Sequence, residues 1–421
     1  MWDKLKNAWQ VKEVRNGLLF TLALIIVFRL AANIPLPGID LVALQAFIEG
    51  NRALGLLNLF AGGTIRNFSI VAMGVAPYIT ASIIIQLLGM IFPKVEEIQK
   101  DGEAGRRRIN QWTRLLTVPL AIIQSFGLIA IMRQSAVPIL TNRDPFHLLT
   151  IIATLTAGTM FVVWLGELIQ EKKVGNGMSI LIAAGILADL PSQLSQFTAT
   201  FNTSGNWLPL ILYGAAAIAM ILGIVFITEG QRNIPVQYAR QVRGGSAASS
   251  LPLRVNMVGV IPIIFAISLL LFPTLIAQFL IAAKTTWIAD GARWVIATLQ
   301  DQRIYGTLYL LLTVGFTYFY TSIVFQPEKI AENLQKQGAF VPGIRPGQAT
   351  AAYLGEVIER ITLGGALFLG VIAVLPLVAQ AITGTQVLAL GGTSVLIVVS
   401  VVIESVKQIE GQVTMRQYDA Y

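Results

Sequence analysis

The sequence predicts an all-α integral membrane protein of ten transmembrane helices, and three observations carry that prediction. Hydrophobic residues fill 55% of the 421 positions and charged residues 12%, against about 25% charged in a soluble domain. Ten apolar runs approach the roughly 20 residues that a helix needs to cross a bilayer core. Basic residues crowd every second connection between those runs, as the positive-inside rule requires of a chain that crosses repeatedly.

The runs fall, in order, at 18–34, 71–92, 113–132, 149–168, 178–192, 207–228, 255–275, 304–325, 361–380 and 386–404. The fifth is short. A Gly/Thr turn around Ile382–Gln386 divides the ninth from the tenth, which would otherwise read as one long helix. Of the 30 Lys and Arg residues, 22 lie in 1–17, 93–114, 169–177, 229–254, 326–360 and 405–421. The other 8 are Arg29, Arg52, Arg66, Arg133, Arg143, Lys284, Arg293 and Arg303, in the opposite connections. Both termini are therefore expected in the cytoplasm, and an even number of spans requires the same. Met1–Gly17 is amphipathic and charged, without the apolar core or small-residue cleavage site of a signal peptide.

Several chemistries are excluded at this stage. Cys is absent and His147 is the single histidine, so no disulfide, thiolate or multi-histidine metal site is available. Windows 71–91, 115–132, 150–166, 178–188, 208–228, 255–275, 304–325 and 361–403 contain no Asp, Glu, Lys, Arg or His. Ion-coupled transporters and proton pumps place such groups at depth because those groups carry the ion or proton. An intramembrane enzyme would need paired carboxylates or a nucleophile beside a base. The sequence offers no catalytic residues, implies no cofactor and contains no P-loop for nucleotide hydrolysis.

Asn58–Gly74 is not a standard span. Gly62 and Gly63 open it, Arg66 interrupts it, and Gly74 and Pro77 separate it from the next apolar run. It reads either as an external loop with an amphipathic turn or as a re-entrant half-helix, which requires protein or a water-filled cavity around it. The long basic connections Pro93–Arg114, Glu229–Arg254 and Gln326–Arg360 either orient the chain or dock a partner. In the third, Pro342, Gly343, Pro346 and Gly347 bracket Ile344 and Arg345, a rigid presentation of one arginine. Gln86 and Gln124 stand inside apolar runs, where an unpaired amide is costly. They are expected to bond between helices; the functional version of that bond holds closed a seam that must sometimes open.

The motifs GGTIRNFSIVAMGVAPYITASIIIQLL, DGEAGRRRINQWTR, GTMFVVWLGE, VGNGMSILIAAGI, LPLRVNMVGVIPIIFA, GAFVPGIRPGQAT and GGTSVLIVV resemble, in order and across about Arg15–Val402, the bacterial SecY family. That resemblance implies a polypeptide-conducting channel in the bacterial inner (plasma) membrane. It implies two pseudo-symmetric five-helix halves, here 1–192 with a re-entrant plug half-helix at 58–70, and 193–421 with cytoplasmic loops 229–254 and 326–360. The matching pore ring is Val75, Ile79, Met178, Ile182, Ile264 and Ile397; Val75 and Met178 stand where isoleucine is common. The matching plug is Gly62, Gly63, Thr64, Ile65, Arg66, Asn67, Phe68 and Ser69. The lateral gate toward lipid would be lined by Thr80, Gln86, Gln124, Ser268 and Phe272.

The resemblance further implies docking of the SecA motor ATPase and the ribosome on Arg345, with Arg240 and Arg232 behind it and Arg106 and Arg107 nearby. Implied companions are the small membrane subunits SecE and SecG, signal-bearing polypeptides and membrane lipids, with no direct nucleic-acid readout. The tip of the 229–254 loop, RGGSAASS, departs from the family's more basic and often aromatic tip. A secondary transporter of small solutes would share the helix count and the broken helices, but it needs a polar midplane site that the apolar windows lack. A purely structural subunit would move neither polypeptide nor solute.

Overall fold

The structure, a computed structural model, describes residues 9, 11–50, 58, 61–133, 139–140, 144–204, 208–238, 249–281, 285–383 and 387–419. Its helices are α1 (Lys12–Ala32), α2 (Leu41–Gly50), α3 (Ala76–Ile91), α4 (Pro93–Lys100), α5 (Gly102–Arg133), α6 (Pro145–Glu171) and α7 (Gly177–Ser204). They continue with α8 (Leu208–Glu229), α9 (Ile261–Leu280), α10 (Thr286–Gln300), α11 (Gln302–Val324), α12 (Pro327–Lys336), α13 (Gln348–Thr383) and α14 (Val387–Asp419). Three strands join them: β1 (Gln231–Tyr238), β2 (Ser249–Arg254) and β3 (Ala339–Phe340).

Among the described residues, five helical stretches are long and apolar enough to cross a membrane: Lys12–Ala32, Gly102–Arg133, Pro145–Glu171, Gln302–Lys336 and Gln348–Leu375. The pair Ala76–Ile91 and Pro93–Gln99, bent by 113°, makes a sixth if read as one span. Gly177–Pro191, Ala217–Glu229 and Ile261–Thr274 are shorter apolar helices. The break expected around Ile382–Gln386 coincides with the end of α13 at Thr383 and the start of α14 at Val387; residues 384–386 lie outside the described residues.

Two expected spans start late. The run 71–92 becomes helical only at Ala76, after Gly74 in the left-handed region (φ 53°). Pro77 then occupies the first turn, where its missing N–H costs nothing. Pro93 ends α3 by holding Phe92 extended (φ −109°, ψ 111°). The run 255–275 is helical only from Ile261. Before it, the Asn256 side chain accepts the Gly259 N–H at 3.0 Å and Gly259 takes φ 66°, which closes a turn instead of a helix.

The described chain divides into two compact units. The first comprises Met1–Trp207, Ser268–Ile304 and Ile397–Tyr421. Within it α3 packs on α5, α5 on α6, α6 on α7, and α1 on both α6 and α7. Arg114 on α5 pairs with Glu167 on α6 at 2.6 Å. At one end, Val14 of α1 packs with Val413 of α14, bordered by Val11, Leu18 and Ile409. The turn after α6 joins this cluster, because Gln412 donates to the Lys173 carbonyl and Lys172 lies 4.9 Å from the centre of the Phe20 ring.

The second unit comprises Leu208–Ile267 and Tyr305–Leu396. Here two connections expected as separate loops fold as one module. The strands form an antiparallel sheet in the order β2-β1-β3, with Ile234 opposite Leu251 and Gln237 opposite Phe340. Along β1, Ile234 and Val236 are buried while their neighbours are exposed, the alternation of a one-sided strand. Ile234 joins a core that includes Leu253, Val341, Leu354, Val357 and Ile358, with Ile344 and Phe325 packed at its edge.

This core predicts that Leu354→Ala, at a fully buried side chain, destabilises the module by about 2–5 kcal/mol. Amide hydrogen exchange should speed up along 231–238 and 339–340 while the helices of the first unit keep their protection.

Candidate functional site

Residues 61–75 form a non-helical stretch within the first unit. They run as successive turns, so the half-helix expected over 58–70 does not extend through 61–70. The cause is local. Gly62, Gly63 and Gly74 take φ values of 72°, 76° and 53°, a region open to glycine at little cost. The segment is nonetheless core: Ile65, Phe68, Val71 and Ala72 are fully buried, and Met73 and Val75 nearly so.

Several of its backbone groups are paired with neighbouring elements. Leu36 N donates to Phe68 O at 3.0 Å, and Ile70 N to Ile34 O at 3.0 Å. Phe68 is a non-glycine residue at φ 38°, a costly conformation; these flanking bonds and its complete burial hold it. The Thr64 hydroxyl donates within reach of Ala61 O (2.8 Å) and Ala72 O (3.1 Å), tying the two ends of the segment together. Asn58 accepts Gly63 N through its carbonyl and Arg66 N through its side chain, at 2.8 and 3.1 Å.

Small residues let the segment seat closely. A Cβ built on Gly185 of α7 would collide with the Gly62 Cα, and one on Gly158 of α6 would collide with the Ile70 carbonyl oxygen. Either side chain would displace the segment.

Charge also converges here. Arg29 of α1 donates through Nη1 to Gly62 O and through Nη2 to Gly185 O, both at 3.3 Å. The Asp189 carboxylate covers Gly63, where an added Cβ would collide with Oδ2. Arg29 and Arg66 both act electrostatically on that carboxylate. The sequence reading missed this cluster. Arg29 and Arg66 count there as connection charges, and the apolar window of the fifth run ends at 188. An Arg near the end of one run and an Asp near the end of another were the available signal.

The expected pore residues are buried and apolar. Val75 and Ile182 line one narrow crevice with Phe28, Ala61, Gly62 and Leu181. Met178 precedes Ile182 by one helical turn, and its sulfur stands 2.5 Å from where a Gly166 Cβ would be. Ile79 and Ile397 are buried in the same unit, whereas Ile264 is buried in the second.

Of the expected gate residues, Thr80 and Gln124 meet: Gln124 Nε2 donates to Thr80 Oγ1 at 3.4 Å, between α5 and α3. The Gln124 Oε1 atom is buried without a partner. Gln86 departs from expectation. It donates to Ser82 at 3.1 Å, one turn back on its own helix, because a residue four positions away shares its face. Ser268 and Phe272 lie half-buried one turn apart on α9.

Arg345, Arg232, Arg106 and Arg107 are exposed, and Arg240 lies outside the described residues. Arg345 sits between Gly343 (φ 84°) and Gly347 (φ 96°). Its carbonyl accepts the Thr350 hydroxyl at 2.9 Å, and its neighbour Ile344 is anchored by Ile344 N to Val341 O at 3.1 Å. The turn is thus bolted to the module core and presents the guanidinium outward.

A family model described as SecY matches residues 69–406. The chain is 42% identical over 440 residues to the protein translocase subunit SecY of Streptomyces scabiei, covering 100% of both. It is 42% identical over 434 residues to the subunit of the same name from Halalkalibacterium halodurans, again covering 100% of both. Among solved structures, one whose plug domain is described as stabilising the closed state of the translocation channel aligns with TM-score 0.66 at 18% identity, over 93% of this chain and 91% of that one. Sec61 from a canine ribosome-channel complex aligns with TM-score 0.60 at 17% identity, over 93% and 91%. A turn segment packed among apolar helices, an apolar crevice beside it and full-length similarity of this order lead to one assignment: the chain belongs to the SecY family.

Proposed function

We infer that this chain is the protein-conducting channel subunit of a translocase, moving unfolded polypeptides across a membrane and releasing apolar segments into it. The observation that carries the reading is its end-to-end similarity to protein translocase subunits. The subunit is a channel and not an enzyme in its own right. The transporter reading is disfavoured, because the helices long enough to cross hold no charged midplane site in their apolar windows.

Ten spans in two halves, 1–192 and 193–421, follow from the same reading. Helices α7, α8, α9 and α14 supply the spans beyond the longest apolar helices. The charge asymmetry supports cytoplasmic termini, and similarity to bacterial translocase subunits supports the bacterial inner membrane. Val75, Ile79, Met178, Ile182, Ile264 and Ile397 form the constriction. An apolar ring resists wetting and so limits ion leakage, and it offers a passing chain no charge to bind. Residues Gly62–Ser69 fill the channel when it is idle. Thr80, Gln86, Gln124, Ser268 and Phe272 line the side opening, with the Gln124–Thr80 bond joining α5 to α3.

Arg345 docks the motor or the ribosome, with Arg232, Arg240, Arg106 and Arg107 around it. The rigid turn beneath Arg345 supports that role, as does the ribosome-channel setting of the canine relative. SecE, SecG and SecA are the companions this reading requires.

The decisive experiment is reconstitution of the chain with its small partner in vesicles, with motor or ribosome added. Uptake of a signal-bearing polypeptide is expected; saturable solute uptake without polypeptide movement would overturn the reading. Two variants test the parts. Ile397→Asn should hydrate the constriction and raise the closed-state ion leak in planar-bilayer recordings. Arg345→Glu should abolish motor-driven transport while the membrane complex still assembles and purifies at normal yield.

A further inference from the structure

We propose that Arg29 and Asp189 are positioning residues that clamp the Ala61–Val75 segment shut, so that displacing this segment requires breaking a charged contact at the rim of the channel. The proposal rests on reading Gly62–Ser69 as the plug.

One guanidinium joins three elements. Arg29 projects from α1, and its two terminal nitrogens reach the carbonyls of Gly62 in the segment and Gly185 in α7, each at 3.3 Å. A planar guanidinium with several fixed donors can serve two acceptors at once. The glycines make this possible: at Gly185 any side chain would run into the Gly62 backbone.

Asp189 completes the clamp. It follows Gly185 by four residues, so both lie on one face of α7. Its carboxylate rests on Gly63, and it is attracted by Arg29 and by Arg66. Arg66 belongs to the segment itself. The carboxylate therefore attracts both a fixed cation on α1 and a cation that leaves with the segment.

A switch needs contacts that differ between its two states. Here displacement of the segment removes one acceptor from Arg29 and one cation from Asp189, in a half-buried setting where lost partners are not fully replaced by water. The apolar packing of Ile65 and Phe68 has no such directionality. Packing fills the space, and the clamp sets the position.

The test uses the full-length chain with its copurifying membrane subunits in planar bilayers. Resting conductance is recorded for the parent, Asp189→Asn, Arg29→Gln and a deletion of 62–69. Both substitutions should raise the conducting fraction by roughly 5- to 150-fold, the range of ordinary conformational coupling. Arg29→Lys, which keeps the charge but not the fork, should fall between parent and Arg29→Gln; it serves where a charge-removing variant fails to accumulate. In the deletion background Asp189→Asn should add nothing further, since coupled groups are not additive. A leaky deletion with quiet substitutions would overturn the clamp and leave the plug reading standing. A quiet deletion would remove both.

Discussion

Non-helical backbone inside a membrane protein must find protein or water for its polar groups, because lipid offers no partner. Residues 61–75 meet that demand, and much of the first unit is arranged around their doing so. The strand-like stretch after α1 supplies the Ile34 carbonyl and the Leu36 N–H, Asn58 supplies two acceptors, and Arg29 covers the Gly62 carbonyl. Glycines at 158 and 185 then let α6 and α7 close on the segment's main chain. Substituting larger residues there would separate the helices or expel the segment. The seated state is thus specified by hydrogen bonds and backbone contact as much as by apolar burial. If the segment is the plug proposed above, it must leave and return, and nonspecific packing alone permits many depths, whereas paired carbonyls permit one.

The second unit solves a different problem. A cationic side chain intended for a partner gains little if it dangles, since fixing it on binding costs conformational entropy. The turn carrying Arg345 is held by Val341 and Thr350 and sits over a core shared with β1 and β2. Two connections distant in sequence are therefore one rigid body. On the proposed reading, a motor or ribosome pushing at Arg345 pushes on α13 directly, because the same core includes Leu354, Val357 and Ile358 of that helix.

The long apolar helices were legible because a run of about twenty apolar residues matches the thickness of a bilayer core and is costly to leave in water. Ends were less so. Residues 71–75 are as apolar as the helix they precede, and only Gly74 and Pro77 signalled the delayed start at Ala76. The sheet was hidden because β1 alternates over a few residues only, and β3 is two residues long; the two are about a hundred positions apart. Gln86 and Gln124 are indistinguishable in sequence, yet one bonds within its helix and the other across helices. The difference is Ser82, one turn before Gln86. Counting charges by connection oriented the chain but concealed Arg29 and Asp189, since a charge at the end of a span is assigned to water by default.

On the proposed reading, those two charges also explain how an apolar constriction and a charged latch can coexist. A fixed charge at the constriction would hydrate it and would bind some passing segments more than others, which defeats a channel that must accept any sequence. Moved outward by one or two turns, the same charges act on the segment that covers the opening and not on the passenger. Asp189 lies two turns beyond Ile182 on α7, and Arg29 sits one residue from Phe28, which lines the crevice with Ile182. The lining stays free of charge while its rim carries the directional contacts. Sealing and latching are then separable: a change in the ring alters wetting, a change in the rim alters the population of the covered state, and neither requires the other to move.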